Sequence, residues 1–170
     1  DTDSLPYSFQ EYLLWFAYVA VIVLYCGMKN LRVYSKLCVF LYTGMTLFLL
    51  ISFLFPNGHN LRPALFQEPN VFTELIKGLY RTDTPTNIFP SIHVYNSLAV
   101  HLSLMNCEEL KNKYAIKTLS FVLCISIVCS TVLIKQHSIM DVISAFLLAA
   151  VMYFLLYGFS FVRQLLAPND

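Results

Sequence analysis

The stretch LCVFLYTGMTLFLLISFLF, residues Leu37 to Phe55, decides the fold of this chain. It carries no charged residue, and it approaches the length of about 20 residues that a helix needs to cross a bilayer. The whole composition agrees with it, because 58% of the residues are hydrophobic and the mean hydropathy is +0.64. Only 12% of the residues are charged, whereas soluble domains carry about 25%. We therefore expect an integral membrane protein whose first partners are membrane lipids.

Four further apolar runs predict four more spanning helices. They cover residues 12–28, 91–107, 118–134 and 138–162. Tyr12 and Trp15, at the start of the first run, are of the kind that anchors a helix at the membrane interface. The long polar loop 56–90 contains a segment, 71–80, whose spacing predicts a short amphipathic helix on the membrane surface. The sequence thus predicts an all-α integral membrane helical bundle with five visible spans, in one domain over residues 1–170.

Basic residues are unevenly distributed between the two ends of the predicted spans. One end, with the linker 29–36, the charged turn 108–117 and the C-terminal tail, carries seven: Lys29, Arg32, Lys36, Lys111, Lys113, Lys117 and Arg163. The other end carries four: Arg62, Lys77, Arg81 and Lys135. Lys and Arg accumulate on the cytoplasmic side of membrane proteins, so we expect the second end to face the extracytoplasmic side. The net charge of +1, without a basic stripe, gives no support for nucleic-acid binding.

His137 and Asp141 form the first candidate catalytic pair, at the start of the fifth span. They are four residues apart, so a helix that already includes His137 places both on one face. A carboxylate on one imidazole nitrogen fixes the tautomer and leaves the other nitrogen free to act as a nucleophile. Asp141 also lies in an apolar run, where an ionisable side chain is costly and suggests function. The alternative is a structural role, since an acid near a helix N-terminus stabilises the helix.

Pro90-Ser91-Ile92-His93 opens the third span. Proline and serine are ordinary residues at a helix start, but a capped N-terminus also offers free backbone N–H groups to a phosphate. His93, one turn into the helix, would be placed to protonate a leaving alkoxide. The alternative is a capped helix with a histidine at the membrane interface.

His101 continues the helix face that begins at His93 and passes through Ser97. That face is expected to point into the bundle. We interpret His101 as a packed, hydrogen-bonded histidine and not as a catalytic one.

Both candidate histidines fall at helix starts on the same predicted side of the membrane. The long loop on that side can supply cations, and Lys135 is the nearest cation to His137 in the sequence. A phosphoryl group in transfer carries spread negative charge, which fixed cations stabilise. The pattern therefore indicates a phosphate-handling site. The candidate phosphate-binding residues are Arg62, Arg81, Asn87, Ser91 and Lys135, and the family resemblance given next adds Ser130.

These motifs resemble the type 2 phosphatidic acid phosphatase superfamily of membrane lipid phosphatases and phosphotransferases. The segment 90–93 is similar to its Pro-Ser-Gly-His block, with Ile92 in place of Gly. The segment 130–141 is similar to its third block in length and in its Ser, His and Asp. The variants Asn-x-Phe-Pro-Ser-x-His and Lys-Gln-His-x-x-x-Asp resemble one branch of the superfamily. The family fold has six helices, so the five visible spans lead us to expect that the first helix is absent from this chain.

The resemblance implies a role for each matched residue. His137 would be the nucleophile that forms a phosphohistidine, Asp141 its orienting partner and His93 the general acid. The substrate would be a lipid phosphate of the phosphatidate or polyprenyl type. Two positions depart from the family pattern, because Thr131 replaces an Arg and Phe55 stands seven residues before Arg62, where the family has Lys.

Three alternatives accompany this hypothesis. The residue types of His93, His137 and Asp141 suit zinc, but no further ligand is evident and nearby cations would oppose a metal, so we expect no cofactor. A lipid phosphotransferase would share the first half-reaction and pass the group to an alcohol. A non-enzymatic bundle with a degenerate site would account for the departures at Thr131 and Phe55.

Overall fold

The structure is a computed structural model that describes residues 5–58, 77, 89–133 and 135–158, with side chains from residue 14 onward. Five α-helices make up most of this part of the chain. They are α1 (Leu5–Lys29), α2 (Leu31–Leu54), α3 (Ile92–Met105), α4 (Tyr114–Leu133) and α5 (Ile139–Tyr153). A 3-10 turn at Glu108–Leu110 lies between α3 and α4, and a π-helical turn at Phe154–Gly158 extends α5. The predicted all-α membrane bundle is confirmed.

The starts of α3 and α5 agree with the predicted starts of the third and fifth spans, at residues 91 and 138, whereas the start of α2 does not. The predicted linker 29–36 is wrong, because α1 and α2 are separated by Asn30 alone. The Asn30 side chain accepts the Val33 N–H at 3.0 Å and so starts α2 six residues earlier than the apolar run does. The predicted charged turn 108–117 is shorter as well, since α4 begins at Tyr114. The predicted surface helix 71–80 lies outside the described residues, apart from residue 77.

The central element of the described bundle is α3, which packs against each of the other four helices. Its 14 residues rise about 21 Å, less than the hydrocarbon core of about 30 Å. Because neighbouring helices surround α3, it carries polar residues such as Asn96, Ser97 and Ser103 in buried positions. Three described segments are long and apolar enough to cross a membrane: Leu31–Leu54, Tyr114–Leu133 and Ile139–Gly158.

The two ends of the bundle are different in character. At one end, Asn30 donates to both carboxylate oxygens of Glu109, at 2.8 and 3.0 Å, and thereby joins the α1–α2 turn to the 3-10 turn. We call this the linker end. At the other end, the start of α3 meets the start of α5, because the Ser91 N–H donates to the Asp141 carbonyl at 3.3 Å. This second end carries His93 and His137 and is called the histidine end.

Gly44 is the point of closest approach between α2 and α3. A Cβ added at Gly44 would overlap the ring of Tyr95. That ring cannot move easily, since it is 1% exposed and its hydroxyl donates to the Phe40 carbonyl at 2.9 Å.

We expect Gly44→Ala to destabilise the protein by about 1–3 kcal/mol, the usual cost of overpacking a core. Thermal unfolding of the purified protein in detergent measures this effect. Gly27→Ala is the matched control, because its Cβ would lie 3.5 Å from the Tyr34 ring, an ordinary contact. Equal melting temperatures for the two variants would contradict this account of the α2–α3 contact.

Candidate active site

A tight turn between α4 and α5 sets the position of His137. The Thr131 carbonyl accepts the N–H groups of both Gln136, at 3.1 Å, and His137, at 3.2 Å. Lys135 adopts a left-handed conformation with φ 54°, which is unusual for a residue other than glycine. The chain therefore reverses directly after α4 and brings His137 back against the end of that helix.

Asp141 and Ser138 form a reciprocal cap at the start of α5. The Ser138 hydroxyl accepts the Asp141 N–H at 3.3 Å, and Asp141 Oδ2 accepts the Ser138 N–H at 2.7 Å. This capping box satisfies two backbone donors that a helix start otherwise leaves unpaired. Asp141 therefore caps the helix, which is the structural role that the sequence left open. It also lies beside His137.

His137 precedes the cap, so the prediction of a shared helix face for His137 and Asp141 is wrong. The two side chains still meet, because the turn places His137 Nδ1 3.9 Å from Asp141 Oδ2. That distance is too long for a hydrogen bond, but it places the carboxylate next to the ring, and both side chains are buried. The other nitrogen, Nε2, points toward His93.

His93 and His137 are brought into direct contact. His93 Nδ1 lies 3.4 Å from His137 Nε2, and the ring centroids are 5.7 Å apart. A hydrogen bond between two imidazoles needs one donor and one acceptor. One of the two facing nitrogens is then unprotonated, which is the state required of a nucleophile or a base.

Two neighbours position His93. Ser91 is fully buried and caps α3, since its hydroxyl accepts the Val94 N–H at 3.4 Å. Trp15 of α1 packs edge-on against the His93 ring, with centroids 4.6 Å apart, and is 9% exposed. The prediction that Trp15 anchors the helix at the membrane interface is therefore wrong. Nothing in the local sequence signals this contact, because it depends on how α1 docks against α3.

The predicted phosphate-binding residues have different outcomes. Ser91 lies beside the histidines at the start of α3, as described above. The Ser130 hydroxyl donates to the Ile127 carbonyl at 2.8 Å, and the Thr131 hydroxyl donates to the Val128 carbonyl at 2.8 Å. Both hydroxyls thus bind to their own helix, and phosphate binding by Ser130 stays a prediction. Lys135 is exposed on the turn next to His137. Arg62, Arg81 and Asn87 lie outside the described residues.

The described part of the chain contains all three residues of the zinc alternative, His93, His137 and Asp141. No group of three or more His, Cys, Asp or Glu side chains within it is arranged to hold a metal ion. The zinc alternative therefore gains no support from these residues.

His101 has the packed, hydrogen-bonded position that the sequence predicts. Its Nδ1 lies 2.9 Å from the Ser120 hydroxyl, which is also 2.6 Å from the Tyr18 hydroxyl. This network joins α1, α3 and α4 in the interior of the bundle. The prediction of a structural His101 agrees with these contacts.

A match to a family sequence model identifies the family of this chain. The sequence model of the PAP2 superfamily matches residues 64–165. The chain belongs to the PAP2 superfamily. The matched range contains His93, His137 and Asp141, and this superfamily is phosphatase-like or phosphotransferase-like, with members that are generally phosphatases. Neither the curated proteins nor the solved structures gave a match to the chain.

Proposed function

We propose that this protein is an integral membrane lipid phosphatase that hydrolyses a phosphomonoester or diphosphate of a lipid through a phosphohistidine on His137. The observation that carries the proposal is the orientation of His137, whose Nδ1 faces Asp141 and whose Nε2 faces His93 at 3.4 Å. A nucleophile with an orienting carboxylate on one side and a general acid on the other is the arrangement that this chemistry needs.

The reaction would proceed in two steps. In the first, the lone pair of His137 Nε2 attacks phosphorus, the bond from phosphorus to the lipid oxygen breaks, and His93 gives that oxygen a proton. In the second, water attacks phosphorus, His93 takes a proton from the water, and the phosphorus–nitrogen bond breaks to release phosphate. The Asp141 carboxylate stabilises the positive charge that His137 carries between the two steps.

The 3.4 Å contact leaves no room for a phosphoryl group between the two rings. Substrate binding must therefore separate them, which a rotation of the His93 side chain away from His137 would achieve.

The surroundings of the turn favour a lipid over a soluble phosphate. Leu133, Ile139 and Met140 flank His137 in the sequence and are 54%, 67% and 68% exposed. In a membrane, such side chains face the acyl chains, so a lipid tail approaching His137 would lie along an apolar surface. Phosphatidate and polyprenyl phosphates both fit this description.

Phosphate release from short-chain phosphatidate in the presence of EDTA tests the metal-independent reaction. We expect turnover to continue with the chelator, since the two histidines and the cations supply the chemistry. Complete dependence on an added divalent metal would overturn this mechanism. Adding alcohol acceptors and analysing the lipids by mass spectrometry distinguishes hydrolysis from transfer to an alcohol.

The proposal also places the histidine end on the extracytoplasmic side, which the Lys and Arg distribution supports. Sealed right-side-out vesicles should then hydrolyse short-chain phosphatidate added outside without permeabilisation. Activity that appears only after permeabilisation would reverse the orientation.

Asp141 and Ser138 allow the catalytic and capping roles to be separated. We expect Asp141→Asn to lower kcat/KM by about 10²-fold or more, because the amide retains an oxygen for the Ser138 N–H but loses the charge that stabilises His137. Ser138→Ala removes a cap worth about 1 kcal/mol of stability and keeps the carboxylate. Its activity well below the melting temperature should stay close to that of the wild type. If Asp141 were only a cap, Asp141→Asn would leave the specific activity of the folded protein unchanged.

A further inference from the structure

A cavity of about 790 Å³ opens at the linker end, remote from the two histidines. Three cations, Lys29, Arg32 and Lys36, line it together with two carboxylates, Glu108 and Glu109. The cavity therefore carries a surplus of one positive charge. Its volume lies in the range of about 300–1,000 Å³ that is typical of small-molecule sites.

Lys36 places a buried positive charge in the wall of this cavity. It is 6% exposed, and its Nζ lies 4.4 Å from the centroid of the Tyr157 ring. That ring is held in place, because its hydroxyl donates to the Ser103 hydroxyl at 3.1 Å and its face stacks on Tyr153 at 5.0 Å. A buried ammonium in a spanning helix is costly, and its presence suggests a function.

Glu109 lies in the lining of the cavity and is held there by hydrogen bonds. Its carboxylate accepts both hydrogen bonds from Asn30 and a third from the Cys107 thiol, at 2.9 Å. The hydrogen bond from Cys107 is the main contact that lowers the pKa of Glu109, so this side chain is ionised at neutral pH. Burial raises the pKa of the Cys107 thiol to about 12, which keeps the thiol a donor. Glu109 thus fixes the α1–α2 turn that carries two of the cations.

We propose that this cavity is a second anion site, which binds the phosphate group of an anionic phospholipid headgroup or of its soluble ester. Arg32 supplies a planar pair of donors that suits phosphate oxygens, while Lys36 supplies a buried point charge. A basic pocket between membrane helices is a recognised type of site for anionic headgroups. The site lies at the opposite end of the bundle from His93 and His137, so it does not depend on the proposed phosphatase reaction.

Thermal unfolding of the full chain in detergent tests the site. The probes are phosphatidylglycerol, phosphatidylcholine with the same acyl chains, and glycerophosphoglycerol, which is the first lipid without its chains. At about tenfold excess over Kd, we expect phosphatidylglycerol to raise the melting temperature of the wild type by about 3–6 °C. Phosphatidylcholine should leave it unchanged. An equal rise with glycerophosphoglycerol would identify the soluble ester as a sufficient ligand, and a rise with the lipid alone would identify the headgroup in its membrane.

Arg32→Gln and Lys36→Met should each remove most of the rise. Lys113→Gln is the matched control, because Lys113 is an exposed cation at the same end of the bundle and outside the cavity lining. Arg32 is exposed, so its variant is expected to fold even if replacing the buried Lys36 lowers stability. A wild-type rise in Arg32→Gln, or an equal rise with phosphatidylcholine, would overturn the proposal.

Discussion

His137→Ala is expected to abolish phosphate release from short-chain phosphatidate, lowering kcat by at least about 10³-fold. The reason is that the variant removes the imidazole nitrogen that attacks phosphorus in the proposed reaction. His93 cannot take over this role without losing its function as the acid. Steady-state assays in detergent micelles, at equal amounts of folded protein, measure the effect.

His101→Asn is the matched control for this prediction. It also removes a histidine from the bundle interior, but one that is hydrogen-bonded to Ser120 and lies two helical turns beyond His93. Its activity should stay close to that of the wild type. Size-exclusion chromatography and thermal unfolding establish that His137→Ala is folded. Turnover by a folded His137→Ala at the rate of His101→Asn would contradict the assignment of the nucleophile.

His93→Gln is expected to slow the release of the lipid alcohol by about 10²–10⁴-fold, the usual contribution of a general acid. The size of the loss should depend on the leaving group. A lipid alkoxide is a poor leaving group and needs the proton from His93, whereas the phenolate of p-nitrophenyl phosphate leaves without one. We therefore expect a much smaller loss with p-nitrophenyl phosphate when both substrates are assayed on the same preparation.

The comparison of the two substrates separates acid catalysis from positioning. Equal losses with phosphatidate and p-nitrophenyl phosphate would mean that His93 only holds the substrate or the His137 ring. Trp15→Leu is an informative companion variant, because Trp15 supports the His93 ring without carrying a proton. It should slow phosphatidate more than p-nitrophenyl phosphate, and less severely than His93→Gln does, since it displaces the ring whose proton only the lipid alkoxide needs.

The helices were predictable because long apolar runs admit few other structures in a membrane. The start of α2 was not, since Asn30 sets it through a side-chain cap that hydropathy does not register, whereas α3 and α5 begin where the sequence predicts. The sequence also predicted that His93 and His137 lie at one end of the bundle, because both stand close to the predicted starts of spans on the same side. The contact of Trp15 with His93 could not be predicted from the sequence, because it depends on how α1 docks against α3.

The predicted position of Asp141 beside His137 was right, but the reason given for it was wrong. A four-residue spacing suggested one helix face, whereas the chain reverses at Lys135 and places His137 before the helix. Sequence spacing predicts which residues share a face of a regular helix, but it does not show where the chain reverses in a turn.

Thr131 remains the clearest departure from the family pattern, and in the structure its hydroxyl donates a hydrogen bond to a carbonyl of its own helix. We predict that Lys135 or a basic residue of the long loop takes the place of the family arginine.

Trapping of the phosphoenzyme tests the central claim most directly. The wild-type protein would be mixed rapidly with phosphatidate labelled in its phosphate, quenched in alkali, digested and analysed by mass spectrometry. We predict a phosphate on His137 that is stable in alkali, labile in acid and absent from His137→Ala. Phosphate release by the wild type without any such adduct, or an adduct on a different residue, would contradict the phosphohistidine mechanism.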